Sequence, residues 1–212
     1  MGIPTEEEFY AALVQRHGEE LQAKFSAAKA AVCGLGGLGS NIAISLARAG
    51  VGTLHLIDFD RVDISNLNRQ QYAVSQIGET KTSAMKNNIK AIAPYCNVIT
   101  DFVRLTEENI PELLRDDEII CEAFDMAEAK AMLVNTVMEN FPEKYIIAAS
   151  GMSGLRSPNG ITTRKVTEKL YICGDGTSDV DKDGTLYAPR PMICAAHQAT
   201  IALQIIAGKI DI

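Results

Sequence analysis

The chain has 212 residues, 47% hydrophobic and 22% charged, enough for a domain that buries roughly 70% of its unfolded surface without metal or disulfide. Its net charge of -7 excludes a broad nucleic-acid footprint. The five cysteines, Cys33, Cys96, Cys121, Cys173 and Cys194, include no CxxC pair, which excludes a four-cysteine zinc site and a disulfide framework.

Residues 1–28 read as an N-terminal helical segment, started by Pro4, Thr5 and the acids Glu6 to Glu8 and interrupted at Gly18. Residues 29–212 read as a single domain. A short apolar run, 30–33, leads into a glycine-rich turn, 34–39, then a helix over 41–49 and a second apolar run, 54–57, closed by Asp58. That is a βαβ unit, and strands apolar on both faces belong to a parallel sheet covered by helices.

Further helices are predicted over 80–93 and 127–140, with strands over 97–103, 119–124 and 145–149, and Thr106 is expected to cap a short acidic helix. Beyond Ser150, residues 161–166 and 170–173 suggest an antiparallel pair. Residues 174–184 suggest a mobile surface loop, and a last helix is expected over 192–207. The fold class is therefore α/β: a Rossmann-like, doubly wound, mostly parallel sheet with an antiparallel extension and N-terminal helices. With no secretory leader and no apolar run of about 18 residues, a cytoplasmic protein that engages no membrane is expected.

Gly34, Gly36 and Gly39 fit G-x-G-x-x-G between a strand and a helix, where backbone amides approach phosphate at the helix's positive end. Asp58, about 20 residues on, is placed to hydrogen-bond a ribose hydroxyl. These features leave NAD and ATP both open. The run after Asp58 separates them: Asn66, Asn68, Arg69 and Gln70, followed by Lys81, supply cations and amide donors suited to a triphosphate.

Gly34-Leu35-Gly36-Gly37-Leu38-Gly39, Asp58-Phe59-Asp60 and Ser65-Asn66-Leu67-Asn68-Arg69-Gln70 resemble the ThiF/MoeB/HesA family of the ubiquitin-activating-enzyme superfamily. The likeness runs on through Lys81, Asp125 and the last helix, over residues 26 to 208. It implies nucleotide contacts from Gly34, Gly36, Gly37, Gly39, Asp58 and Asp60, phosphate contacts from Asn66, Arg69, Gln70 and Lys81, and magnesium organised by Asp125. It also implies a homodimer in which Arg16 of one subunit reaches the other's ATP, although Gln15-Arg16-His17 departs from the family's Arg-x-x-Arg-Gln pattern. The resemblance also implies a cysteine that takes over the activated carrier or joins a persulfide relay, and Cys173, beside Gly174-Asp175-Gly176 and expected to be exposed, is the candidate. Cys33 and Cys121 read as buried and inert, and His55 and His197 as structural residues without a triad partner.

The resemblance implies ATP-dependent adenylation of the C-terminal glycine carboxylate of a small sulfur carrier protein (ThiS-like, ending in Gly-Gly) in thiamine biosynthesis. A sulfur donor such as a cysteine desulfurase would act next, and no structural zinc is expected in this compact, ThiF-like form. The alternatives are a MoaD-like carrier for molybdopterin synthesis, a small-molecule or tRNA-bound carboxylate, a non-catalytic module that binds nucleotide or carrier, and an NAD-dependent oxidoreductase. The last leaves Asn66 to Gln70 without a role, and the net charge disfavours tRNA.

Overall fold

Short apolar segments alternating with helices give the chain its sheet. The computed structural model describes residues 2–212. Its seven strands are β1 (Lys29–Cys33), β2 (Thr53–Ile57), β3 (Asn97–Asp101), β4 (Ile119–Glu122), β5 (Tyr145–Ala149), β6 (Thr162–Lys165) and β7 (Leu170–Gly174). They lie in the order β3-β2-β1-β4-β5-β7-β6. Every neighbouring pair is parallel except β6 with β7.

Two apolar clusters hold helices to the two faces of this sheet. On one face α3 (Gly39–Arg48), α4 (Lys81–Ile92) and α8 (Pro189–Ala207) bury Ile42, Leu46, Met85, Ile89 and Ala199 against Val32, Leu54 and Cys121. On the other, α5 (Ile110–Leu113) and α6 (Ala127–Asn140) bury Ile110, Leu133 and Val137 against Ala31, Ile120 and Ile146. Each large side chain removed from water in this way contributes about 1.5–3 kcal/mol before entropy is counted. The doubly wound α/β sheet expected from the sequence is thus the observed fold.

At the N-terminus, Thr5 and Glu8 form a reciprocal capping box for α1 (Glu6–His17), and Gly18 separates it from α2 (Glu19–Ala27). Helix α1 buries no residue, whereas α2 is anchored by Phe25 and Gln22.

Differences from expectation lie after β5 and in the short connections. Strand β7 is parallel to β5, so the antiparallel extension is β6 alone. Residues 174–184 are not a free loop: they contain α7 (Val180–Asp183), and the Asp175 carboxylate pairs with Arg190 while accepting from the amides of Thr177 at 2.8 Å and Ser178 at 2.7 Å. Helix α8 starts at Pro189 rather than Met192, since proline suits a first turn whose amides have no partner. Thr106 forms a turn with Asn109, and the helix beyond it begins only at Ile110.

His55 has partners the sequence did not reveal. Its Nδ1 lies 2.7 Å from Asp117 and its Nε2 2.7 Å from Asp101, in a nearly buried bridge between β2, β3 and the start of β4. His197 Nδ1 pairs with Thr163 Oγ1 at 2.8 Å. Neither histidine contacts a cysteine directly, His197 reaching the Cys173 thiol only through the Thr163 hydroxyl, and both tie packed elements together.

Candidate active site

In an open α/β sheet the ligand crevice opens at the C-terminal ends of the strands, where the winding reverses. Here the reversal falls between β1 and β4, and a cleft of about 700 Å³ opens there. Its walls include Gly34, Gly36, Gly37, Asp58, Asp60, Asn66, Arg69, Gln70, Lys81 and Asp125, ten of the positions singled out in the sequence.

The glycine turn is built by close approach. Gly34 has φ +91°, and a Cβ on Gly39 would stand 1.8 Å from the Gly34 carbonyl oxygen, so residue 39 must lack one. Gly39 therefore shapes the turn from behind rather than lining the cleft. The turn's carbonyls are drawn back into the protein. Leu35 O accepts from Tyr72 Oη at 2.8 Å, Gly36 O from Ser40 Oγ at 2.7 Å, and Gly37 O from Asn41 Nδ2 at 2.7 Å. Among the described residues the amides of Gly36, Gly37, Leu38 and Gly39 have no acceptor. They form a row of donors at the N-terminus of α3, the arrangement that binds an anion.

Asp58 fixes this loop from β2. Its two carboxylate oxygens accept from Leu35 N and Asp60 N, both at 2.6 Å. Burial pushes its pKa upward, against the opposing pull of Lys81 and the two amides. The acid thus holds the turn as well as bordering the cleft.

Cations and amides gather on the same side. Lys81, first residue of α4 and nearly buried, pairs with Asp60 at 2.9 Å. Arg69 lies against Gly37, donates through Nη1 to Ser65 O at 3.2 Å and Asn68 Oδ1 at 2.7 Å, and leaves its buried Nε without a partner. Gln70 Oε1 is likewise buried and unpartnered. Asn66 accepts from Asp63 N at 3.1 Å and closes the turn that presents Arg69. Orphaned buried polar atoms are costly, and three of the six among the described residues, Arg69 Nε, Gln70 Oε1 and Ser153 Oγ, belong to side chains that line this cleft.

Across the cleft, Asp125 leaves β4 exposed and ahead of α6. It does not cap that helix: the N-cap is Met126, without a side-chain bond. Among the described residues no cluster of three metal-ligating side chains exists. A lone free carboxylate facing an anion site suits magnesium, which favours one or two carboxylates together with substrate phosphates.

Two cleft-side residues were missed. Lys130 lines the cleft from α6 and pairs with the fully buried Glu122 at 3.0 Å. An acid in the buried strand Ile119–Glu122 was the available signal, since such a charge needs a partner.

One expectation fails. Cys173 is buried beneath α8, not exposed, and burial pushes its thiol up to about 11 despite the Thr163 hydroxyl beside it. Cys194 is also buried, and desolvation raises its pKa. Cys33 and Cys121 are buried as expected. Arg16 sits exposed in the last turn of α1 and does not line the cleft of its own chain.

The sequence pattern of the ThiF family matches residues 10–212. The tRNA threonylcarbamoyladenosine dehydratase of Haemophilus influenzae is 34% identical over 70% of this chain and 57% of its own length. The sulfur carrier protein ThiS adenylyltransferase of Bacillus subtilis is 31% identical over 91% of this chain and 58% of its own. The chain therefore spans less than two thirds of these relatives. The E. coli tRNA N6-threonylcarbamoyladenosine dehydratase solved with ATP superposes with a TM-score of 0.86, covering 98% of both chains at 20% identity, a likeness of fold.

Proposed function

We propose, from the premise that this chain belongs to the ThiF family, that it binds ATP and adenylates a carboxylate carried by another macromolecule. The observation that carries this reading is the set of unpaired groups in one cleft. The unpartnered amides of Gly36, Gly37 and Leu38 belong to residues that line the cleft together with Arg69 and Gln70, whose Nε and Oε1 are orphaned, with Lys81 and the free Asp125 on the same cleft. The loop amides would serve a dinucleotide's pyrophosphate equally, and it is the Arg69 and Lys81 cations beside them that favour a triphosphate.

The roles follow from position. The loop amides and Arg69 would hold phosphate oxygens, and Asp58 and Asp60 border the ribose side. Lys81 is held by Asp60 and would turn to an incoming phosphate as a point charge. Magnesium, with Asp125 as its protein ligand, would supply charge neutralisation on the phosphates. The attacking carboxylate is already ionised at neutral pH, so no protein base is needed. It attacks the α-phosphorus, the bond to the bridging oxygen of pyrophosphate breaks, and an acyl-adenylate remains. Positioning and electrostatic stabilisation carry the rate.

The favoured acceptor is the C-terminal glycine carboxylate of a ThiS-like carrier, supported by the likeness to the Bacillus ThiS adenylyltransferase over 91% of the chain. A thiamine role follows, with a MoaD-like carrier as the variant and a cysteine desulfurase as sulfur donor. The second reading is a tRNA-borne carboxylate, favoured by the 34% identity to the Haemophilus dehydratase.

ATP–pyrophosphate exchange tests both. We expect exchange that depends on a Gly-Gly-ended carrier and falls by at least about 10² in Asp125→Ala and in Arg69→Ala. Exchange supported by tRNA and not by carrier selects the second reading. Exchange indifferent to both substitutions refutes the site.

A further inference from the structure

Glu122 belongs to none of the motifs that suggest nucleotide chemistry, yet it is a fully buried carboxylate where β4 reaches the cleft. A charge in that setting persists only when its lone pairs are filled. Oε1 accepts from Phe124 N at 2.7 Å and from Lys130 Nζ at 3.0 Å. Oε2 accepts from Lys130 Nζ at 3.1 Å and from Ala149 N at 3.3 Å. The residue's own carbonyl accepts from Gln198 Nε2 at 2.8 Å, and the same amide holds Ile147 O at 2.9 Å. One residue thus joins β4, β5, α6 and α8.

We infer that Glu122 is a positioning residue for adenylation, fixing the β4–β5 wall of the cleft through the Phe124 and Ala149 amides, with Lys130 as its charge partner. This rests on the proposed function. The wall in question carries Asp125 on one segment and Ser150 to Ser153 on the other. No side-chain bond holds Asp125 from its helix, so the turn set at Phe124 decides where that carboxylate points. Apart from Lys130, which lines the cleft itself, the donors assigned to phosphate stand at the glycine loop, Arg69 and Lys81, and none of these bonds to Glu122.

A buried ion pair that served only stability could be replaced as a pair by neutral side chains of similar volume with little loss of rate, whereas removing one partner alone leaves the other charge unpaired and lowers stability. The test compares Glu122→Gln, Lys130→Met, Lys130→Arg and Glu122→Gln/Lys130→Met in the full chain. ATP binding is measured by calorimetry and exchange kinetics are measured with the substrate that supports wild-type exchange. We expect Glu122→Gln to bind ATP within about threefold of wild type, at one site per chain, while kcat for exchange falls about 10². Lys130→Met should lower kcat in the same way, Lys130→Arg should restore it, and the double variant should be no worse than Glu122→Gln alone. Unchanged kcat in Glu122→Gln overturns the inference, as does a loss matched by fewer ATP sites per chain or multiplicative losses in the double variant. Wild-type protein without exchange on any carrier or tRNA overturns the proposed function itself, and the positioning role with it.

Discussion

Burial decides what each reactive side chain can do. The glycines around Cys173 suggested mobility, but Gly174 is there because a Cβ would meet Ser150 O at 1.9 Å as β7 runs past the end of β5. The same local composition serves a loose loop or a close crossing, and only the packing distinguishes them. A thiol held up to about 11 is scarcely ionised at neutral pH and makes a poor nucleophile. Cys173→Ala should therefore leave exchange within about twofold of wild type, and iodoacetamide should leave Cys173 unlabelled in the folded chain. Native labelling, or lost exchange in a folded variant, would restore a chemical role. The neighbouring Asp175 behaves oppositely. Burial alone would raise its pKa, but the amides of Ser178 and Thr177, the Ser178 hydroxyl and Arg190 outweigh that and hold it at about 2. An acid whose folded pKa lies below its ordinary value of about 3.9 adds stability above that value and loses it as pH falls toward 2. Urea midpoints taken from pH 5 down to pH 2 should fall less steeply in Asp175→Asn than in wild type; parallel curves would deny the Asp175–Arg190 clasp that contribution.

At the scale of elements, the glycine loop was legible because its physics is local: a strand, a turn that only glycine permits, and a helix N-terminus within about 30 residues. The sequence could not reveal that its glycines do different work. Gly39 faces the Gly34 carbonyl at 1.8 Å, so Gly39→Ala must force the turn open and should lower stability by about 2 kcal/mol or more, with nucleotide binding lost. At Gly36 an added Cβ meets only Gln70 Nε2, at 3.8 Å, on the cleft side. Gly36→Ala should melt within a few degrees of wild type yet weaken ATP binding about tenfold or more, because the methyl stands where the backbone approaches phosphate. Thermal melts with and without ATP separate the two: a Gly36→Ala protein whose melting temperature rises on ATP addition as much as wild type's would contradict the assignment of these amides to phosphate. The start of α8 falls at Pro189, where proline suits the first turn and the carbonyls of Arg156 and Ser157 hold Arg190.

For the whole molecule, the parallel sheet and the site's main residues were readable because both rest on short-range patterns, whereas Glu122, Lys130 and the His55 bridge join residues that only the folded sheet brings together. The assembly of chains is a step further from the sequence, and its test lies in Arg16. Helix α1 carries Arg16 exposed in its last turn, buries no residue of its own, and contributes nothing to the cleft of its chain. We propose that α1 lies against a second copy and that Arg16 completes the partner's ATP site. An isologous dimer then holds two composite sites, each taking Arg16 from one subunit and Asp125 from the other. Arg16→Ala and Asp125→Ala homodimers should both be nearly inactive. Mixed in equal amounts under exchange of subunits, half the dimers are hybrid, each with one intact site, so about a quarter of wild-type exchange should return. The recovery must track the hybrid fraction measured by native mass spectrometry. Full activity in Arg16→Ala alone, or hybrids that stay inactive, would show that each site is completed within its own chain.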